Sequence, residues 1–238
     1  MIILLFIFRV FAMPTADEVV KKVDANMNYE TRQAMIKMTV SKKRRVKTYE
    51  MRSHAKGQQQ AAVEFLYPPR EQGRKMLKKD NSMWIWLPNA EKTQKLSGHM
   101  LRQGMMGSDM SYEDILQATQ LSDLYDAKII GEESIRERRC LKLELTAKSN
   151  SVTYAKRISW IDKEHYVPIK EYLYTTSGKL VKEWTMLGIK DYDGRKFPTK
   201  MIVHDKLLPN SKTEIEFTDL QFQIQIEQEI FNKRWLER

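Results

Sequence analysis

The residues that most often do chemistry are few in this chain and stand far apart. The four histidines, His54, His99, His165 and His204, make no His-x-x-His or His-x-x-x-His pair. Cys140 is the single cysteine of the 238 residues, so neither a thiolate cluster nor an internal disulfide can form. There is no Gly-x-Ser-x-Gly elbow, no phosphate-cradling glycine loop and no dinucleotide fingerprint. Gly104-Met105-Met106-Gly107-Ser108 follows no strand that feeds a long helix, which makes it a weak phosphate site. Asp162 and Glu164 fall in a turn pattern, where carboxylates are ordinarily solvated. No catalytic constellation, metal site or cofactor is expected.

The remaining signal is apolar. Met83-Trp84-Ile85-Trp86-Leu87-Pro88 is a wide, greasy strand. After it comes a glycine-broken segment carrying Met100, Met105, Met106 and Met110. Methionine is unbranched and polarisable, so such a segment suits a surface that fits variable apolar shapes, and it equally suits ordinary core filling. Together the two pieces read as an apolar wall beside a movable cover, and acyl chains are what such a place would shelter.

The elements that must position this wall are mostly strands. Pro14-Thr15-Ala16-Asp17-Glu18 opens a helix of about 14 residues, with Thr15 as cap, acids in the first turn and a stripe of Val19, Val20, Val23 and Met27. From Gln33 the period becomes two: Ala34, Ile36, Met38 and Val40 face one way, and Lys42-Lys43-Arg44-Arg45 turns the chain into Val46–Arg52. Further strands are expected at Ala61–Leu66, Met76–Leu77, Met83–Leu87 and Lys92–Leu96. In the second half they follow at Lys128–Gly131, Arg139–Thr146, Tyr154–Asp162, Pro168–Tyr174, Leu180–Lys190, Lys196–Asp205 and Lys212–Gln223. Between the halves, Ser111-Tyr112-Glu113-Asp114 has the form of a capping box and starts a short helix through about Ala118. Glu227–Trp235 reads as a final strand or a single helical turn. Short alternating strands at regular spacing predict a mainly β chain with one strongly curved antiparallel sheet, an unclosed β-barrel whose helices cover the concave face.

Lys plus Arg number 41 against 31 Asp plus Glu, a net charge of +10 spread over the whole length. That suits an anionic surface, whether lipid headgroups, an acidic partner or nucleic acid. The run Lys42–Lys47 carries no interleaved aromatics for base stacking and reads as a solvated strand edge, so no nucleic-acid partner is expected. Met1–Ala12 is apolar but for Arg9, too short to cross a bilayer and similar to the core of an export signal with a small residue, Ala12, for cleavage. The expected organisation is a signal segment at residues 1–12 and a single domain at 13–238.

Four stretches carry a family resemblance: Tyr67-Pro68-Pro69, Gly73-Arg74-Lys75-Met76-Leu77-Lys78, Met83–Pro88 and Met106–Asp114. The string Gly107-Ser108-Asp109-Met110-Ser111-Tyr112-Glu113-Asp114 is the most specific of them. Together they resemble the LolA-like outer-membrane lipoprotein-sorting proteins of Gram-negative bacteria, over roughly residues 15 to 232. The resemblance implies an unclosed barrel with helices over its mouth that carries lipid-modified cargo through the periplasm without catalysis. An inner-membrane exporter, an outer-membrane acceptor and transient membrane contact would be its partners. Where the well-studied carrier has aromatic residues after the turn, this chain reads Gly73–Lys78, so the cargo stays open.

The leading reading is a periplasmic carrier of lipid or of lipoprotein acyl chains. Its candidate lipid contacts are Met76, Trp84, Trp86, Met105, Met106 and Met110. Gly104 and Gly107 are candidate hinges, and Ser108, Asp109, Tyr112 and Asp114 belong to the cover. The alternative is an envelope interaction or sensor module of the same fold with a filled, dry core, in which these are ordinary core and turn residues. A basic nucleic-acid binder would need residues 1–12 retained and an affinity that falls steeply with salt.

Overall fold

The computed structural model describes residues 13–117 and 121–238. The expected signal segment and the helix end at Ala118 lie outside these residues. Thirteen strands follow in chain order. The first six are β1 (Thr31–Lys42), β2 (Arg45–Lys56), β3 (Gln60–Tyr67), β4 (Lys75–Lys79), β5 (Ser82–Leu87) and β6 (Lys92–Leu96). The rest are β7 (Tyr125–Ile135), β8 (Arg138–Ala147), β9 (Lys156–Asp162), β10 (Pro168–Tyr174), β11 (Leu180–Tyr192), β12 (Arg195–Asp205) and β13 (Ser211–Phe222). They form one antiparallel sheet in the order β6-β5-β4-β3-β2-β1-β13-β12-β11-β10-β9-β8-β7. Every pairing but β1 with β13 joins consecutive strands, and β6 and β7 remain edges, so the sheet curls without closing.

Local chemistry explains the turns. Asp193 and Gly194 both take positive φ, 52° and 84°, the conformation that lets a two-residue turn follow the twist of β11 and β12. Lys43, at φ 50°, turns β1 into β2. β7 runs well beyond the four residues expected of it. Its pairing with β8 slips between Ile129 and Gly131, and that bulge leaves Ile130 exposed and breaks the alternation by which a strand is recognised.

Helix α1 (Ala16–Met27) starts on a capping box: Thr15 N donates to Glu18 Oε2 at 2.8 Å and Glu18 N to Thr15 Oγ1 at 3.3 Å. Its valines pack against Tyr125, Leu141, Leu143 and Leu145, covering the β7–β9 end of the inner face. Asp24 accepts from Leu121 N and Ser122 N and so holds the start of α3 (Leu121–Leu124). Short α2 (Tyr112–Leu116) lies toward the other half of the sheet, against the cluster of Met38, Met51, Met76 and Met83.

The tail resolves as a 3-10 turn, Gln228–Phe231, and one helical turn, α4 (Lys233–Leu236). Phe231 and Leu236 are buried against Ala62 and Leu77, with Trp84 and Trp86 packed beside them. Successive strand residues point to opposite faces, so β5 sends Met83 and Ile85 to the inner cluster and Trp84 and Trp86 to the tail outside. Cys140, fully buried with Trp160 and Ile169, belongs to another outer cluster, and burial pushes its thiol pKa up.

Candidate functional site

The inner face keeps a cavity of about 350 Å³, near the lower end of the roughly 300–1,000 Å³ range of small-molecule sites. Nine of the chain's 14 methionines line it, among them Met38, Met51, Met76, Met186 and Met201 on five different strands. Ile215, Phe217 and Leu173 complete an apolar wall that spans both halves of the sheet. A larger hollow of about 590 Å³ lies between Arg136–Arg139 and Asp162–Glu164, but it is open and charged, and Arg138 is already paired with Asp162 at 2.9 Å. Only the first has the character of a site for an apolar ligand.

The segment after β6 covers this cavity and is pinned by polar contacts. Gly104 bridges to Ser111, and Met105 N donates to Met110 O at 2.8 Å, closing a small loop. Gly104 is required there, because a Cβ would lie 2.1 Å from the Ser108 carbonyl oxygen. Gly107 takes φ +79° with open space around it, so its glycine serves the backbone angle and not a close approach. Met106, also left-handed at φ 53°, offers its carbonyl to the Tyr49 hydroxyl at 3.3 Å.

Ser108, Asp109, Ser111 and Asp114 of the string Ser108–Asp114 each hold something. Ser108 Oγ donates to Met110 O at 2.9 Å. Asp109, 2% exposed, accepts from Thr213 Oγ1 at 2.6 Å and from Asp205 N at 3.2 Å, while its own N donates to Thr213 Oγ1 at 2.8 Å. This ties the cover to β12 and β13, about 100 residues away in the chain. Ser111 and Asp114 form the expected capping box, at 2.7 and 3.1 Å. Asp114 also accepts from the Tyr154 hydroxyl at 2.6 Å and pairs with Lys182 on β11. Burial, and then the Asp114 carboxylate, push the Tyr154 phenol far above its ordinary range, so it remains a donor. Tyr112 packs into the inner cluster through its ring, and burial raises its phenol pKa.

The structure thus brings some of the expected contacts together and separates others. Met76, Met105 and Met110 line the cavity, and Asp114 lies at its rim. Met106 packs against the inner cluster without lining the space. Trp84 and Trp86 do not reach it, because the alternation of β5 turns them to the outer face, where Lys233 sits 4.4 Å from the Trp84 ring. Met83 takes the inward place instead.

Three cations on the lining escape a pattern-based reading: Arg32, Lys78 and Arg157. For Lys78 the signal was available, since it stands two residues from Met76 on one strand and must share its face. Arg157 is held by Tyr125 Oη at 3.0 Å and Glu171 at 3.9 Å. Lys78 donates to the carbonyls of Ile115 at 3.1 Å and Leu116 at 2.9 Å, at the end of α2. Such last-turn carbonyls have no partner within a helix, so a cation suits them. Among the described residues no cluster of His, Cys, Asp or Glu could hold a metal ion, and no helix is long and apolar enough to cross a membrane.

Desolvation lowers the Lys78 pKa from its ordinary 10.5 to about 8. Between these values the unfolded chain still holds the proton that the folded chain has lost, so stability rises with pH across that window. Relative to Lys78→Met, the wild-type protein should gain about 1–3 kcal/mol of unfolding free energy between pH 7.5 and pH 10. Urea unfolding of both proteins at the two pH values reads this, and a pH-independent difference would contradict it.

The sequence from 57 to 238 matches a family model described as "uncharacterized protein". No curated protein matches the chain. Three solved structures share its fold over almost their whole length. A DUF1329 family protein of Desulfovibrio piger ATCC 29098 superposes with a TM-score of 0.86 at 22% identity, over 93% of this chain and 97% of that one. A domain of Vibrio parahaemolyticus described as that of an outer membrane lipoprotein-sorting protein gives 0.84 at 23% identity, over 94% and 98%. A LolA superfamily protein of Nitrosomonas europaea gives 0.77 at 23% identity, over 94% and 100%. The chain therefore belongs to the family whose model spans its residues 57–238, and its fold is that of the LolA-like proteins.

Proposed function

We propose that this protein is a periplasmic carrier that shelters acyl chains, of a lipid or of a lipoprotein, beneath its pinned cover and moves them towards the outer membrane. The observation that carries this reading is the methionine-lined cavity between the inner face and the segment Gly104–Leu116. A filled core would leave no such space. Burying each methylene contributes about 0.8 kcal/mol, so a few sheltered carbons give useful yet reversible binding. In this role the cavity's residues bind the chain and exclude water. This role implies an inner-membrane exporter as donor and an outer-membrane acceptor as recipient.

Transient membrane contact has a surface suited to it. The β1–β2 tip carries Lys42, Lys43, Arg44, Arg45 and Lys47 with no ion pair among the described residues, around Val46 at 66% exposure. The β12–β13 turn lies beside it, joined by Lys43 N donating to Asn210 O at 3.0 Å, and exposes Leu207 and Leu208 at 49% and 43%. Basic groups ringing exposed aliphatic side chains fit an anionic bilayer surface. The same turn flanks Asp205 and Thr213, the two anchors of Asp109, so the contact would fall next to the fixed end of the cover.

Native mass spectrometry of protein purified from an exporting bacterial host should show a mass excess that organic extraction identifies as acyl lipid or acylated peptide. Ala61 lines the cavity and is small, so Ala61→Trp should fill the space and remove that excess in a folded protein. A bare wild-type chain that also refuses added lipid and lipopeptide would overturn the carrier and favour the envelope interaction module. For the tip, cosedimentation with phosphatidylglycerol vesicles should exceed that with phosphatidylcholine vesicles. Replacing Val46, Leu207 and Leu208 with serine should cut it several-fold, and unchanged cosedimentation would remove the tip from the account.

A further inference from the structure

The charged groups on the cavity lining are satisfied by the protein, with one exception. Asp24 accepts two backbone N–H groups, Asp114 has Lys182 and Tyr154, and Glu171 has Ser159 at 3.0 Å. Lys78 has its two carbonyls, and Arg157 has Tyr125 and Glu171. The Arg32 side chain makes no hydrogen bond and no ion pair with any described residue, and its Nε is shut off from solvent without a partner.

What surrounds Arg32 is aromatic. Its guanidinium carbon lies 4.8 Å from the Tyr29 ring centroid and 5.7 Å from those of Phe197 and Phe217. Ring faces hold a cation in place by about 0.5–2 kcal/mol and accept none of its five N–H groups in a conventional hydrogen bond. A second unpartnered group lies close by. Arg32 pairs with Ala55, Gly57 N donates to Glu30 O at 2.8 Å, and Gln58, next in that turn, lines the cavity with its side-chain oxygen buried and unbonded. Arg32 sits at the start of β1 with the Gln58 turn beside it, whereas Asp109 anchors the cover at Thr213, opposite Val40. Eight residues of strand separate the two levels, about 26 Å. The cavity therefore has an apolar middle, a pinned cover toward one end and an unmatched cation at the other.

We propose that Arg32 binds the anionic head of the acyl ligand, a phosphate or carboxylate, while the methionine wall takes the chain. This rests on the carrier reading and narrows it. The planar guanidinium fork matches phosphate and carboxylate oxygens two at a time, and such charge-assisted bonds are about twice as strong as neutral ones. An anionic acyl lipid supplies that group. The diacylglyceryl anchor of a lipoprotein bears no charge where its chains meet the glycerol, so it leaves Arg32 unmatched.

The test uses the full chain, stripped of lipid, with three 16-carbon ligands below their aggregation limits: palmitoyl lysophosphatidylglycerol, palmitate and monopalmitoylglycerol. Titration calorimetry should show the wild-type protein binding at least one charged ligand about tenfold or more tightly than the uncharged one. Preference for the phosphate or for the carboxylate assigns the head. Arg32→Gln should remove that preference and leave monopalmitoylglycerol within about twofold, and Arg32→Lys, which keeps the charge and loses the fork, should fall between. Equal wild-type affinity for all three ligands, or a preference that survives Arg32→Gln, overturns the head-group site and leaves the carrier standing. Failure of all three to bind overturns both.

Discussion

An antiparallel sheet that curls through thirteen strands and stops short of closing has an inner face too wide for its own side chains to fill. That face is apolar on both halves, so water must be kept from it, and cover elements do this from two directions. α1 lays Val19, Val20 and Val23 over the β7–β9 end and packs it tightly. Over the rest lies the segment Gly104–Leu116, which is short, carries one helical turn and a half at most, and lays Met105, Met106, Met110, Tyr112, Ile115 and Leu116 on the inner cluster. Polar pins fix its position as well: Asp109 on Thr213 and Asp205, Asp114 on Lys182 and Tyr154, and Lys78 on the end of α2. These bonds are directional and few, so they fix a position without demanding that the space beneath be filled.

Methionine is the other half of the same constraint. A wall of Leu, Ile and Phe would interlock in one arrangement, whereas long unbranched side chains reshape around whatever lies between them. Met38, Met51, Met76, Met186 and Met201 sit on five strands, so this adaptability extends across the inner face and is not confined to the cover. The fully buried Tyr49 on β2, Phe65 on β3 and Leu77 on β4 supply rigidity.

Much of this was legible in the residues. Period-two patterning marked nearly every strand, and the capping boxes at Thr15–Glu18 and Ser111–Asp114 stand where their residue types require. The face of a strand was not legible where both faces are apolar. Met83-Trp84-Ile85-Trp86 alternates between two greasy sides, and only the packing of Phe231 and Leu236 reveals that the tryptophans point outward. A bulge at Ile129–Gly131 hid most of β7. The pin between Asp109 and Thr213 joins residues 104 apart, which local pattern cannot show. No local pattern singles out Arg32, because what distinguishes it is a side chain without a partner, a property of the fold and not of the sequence.

The central claim is that acyl chains occupy the inner face. It is tested most directly by photolabelling with a palmitoyl lipid that carries a diazirine at the chain end, followed by peptide mapping of the adducts. Adducts are expected on the inward residues of β1, β2, β11 and β12, with Met38, Met51, Met186 and Met201 foremost, and none on Trp84, Trp86 or Trp235. Adducts concentrated on the outer tryptophans and the tail, with the inner methionines clean, would contradict it.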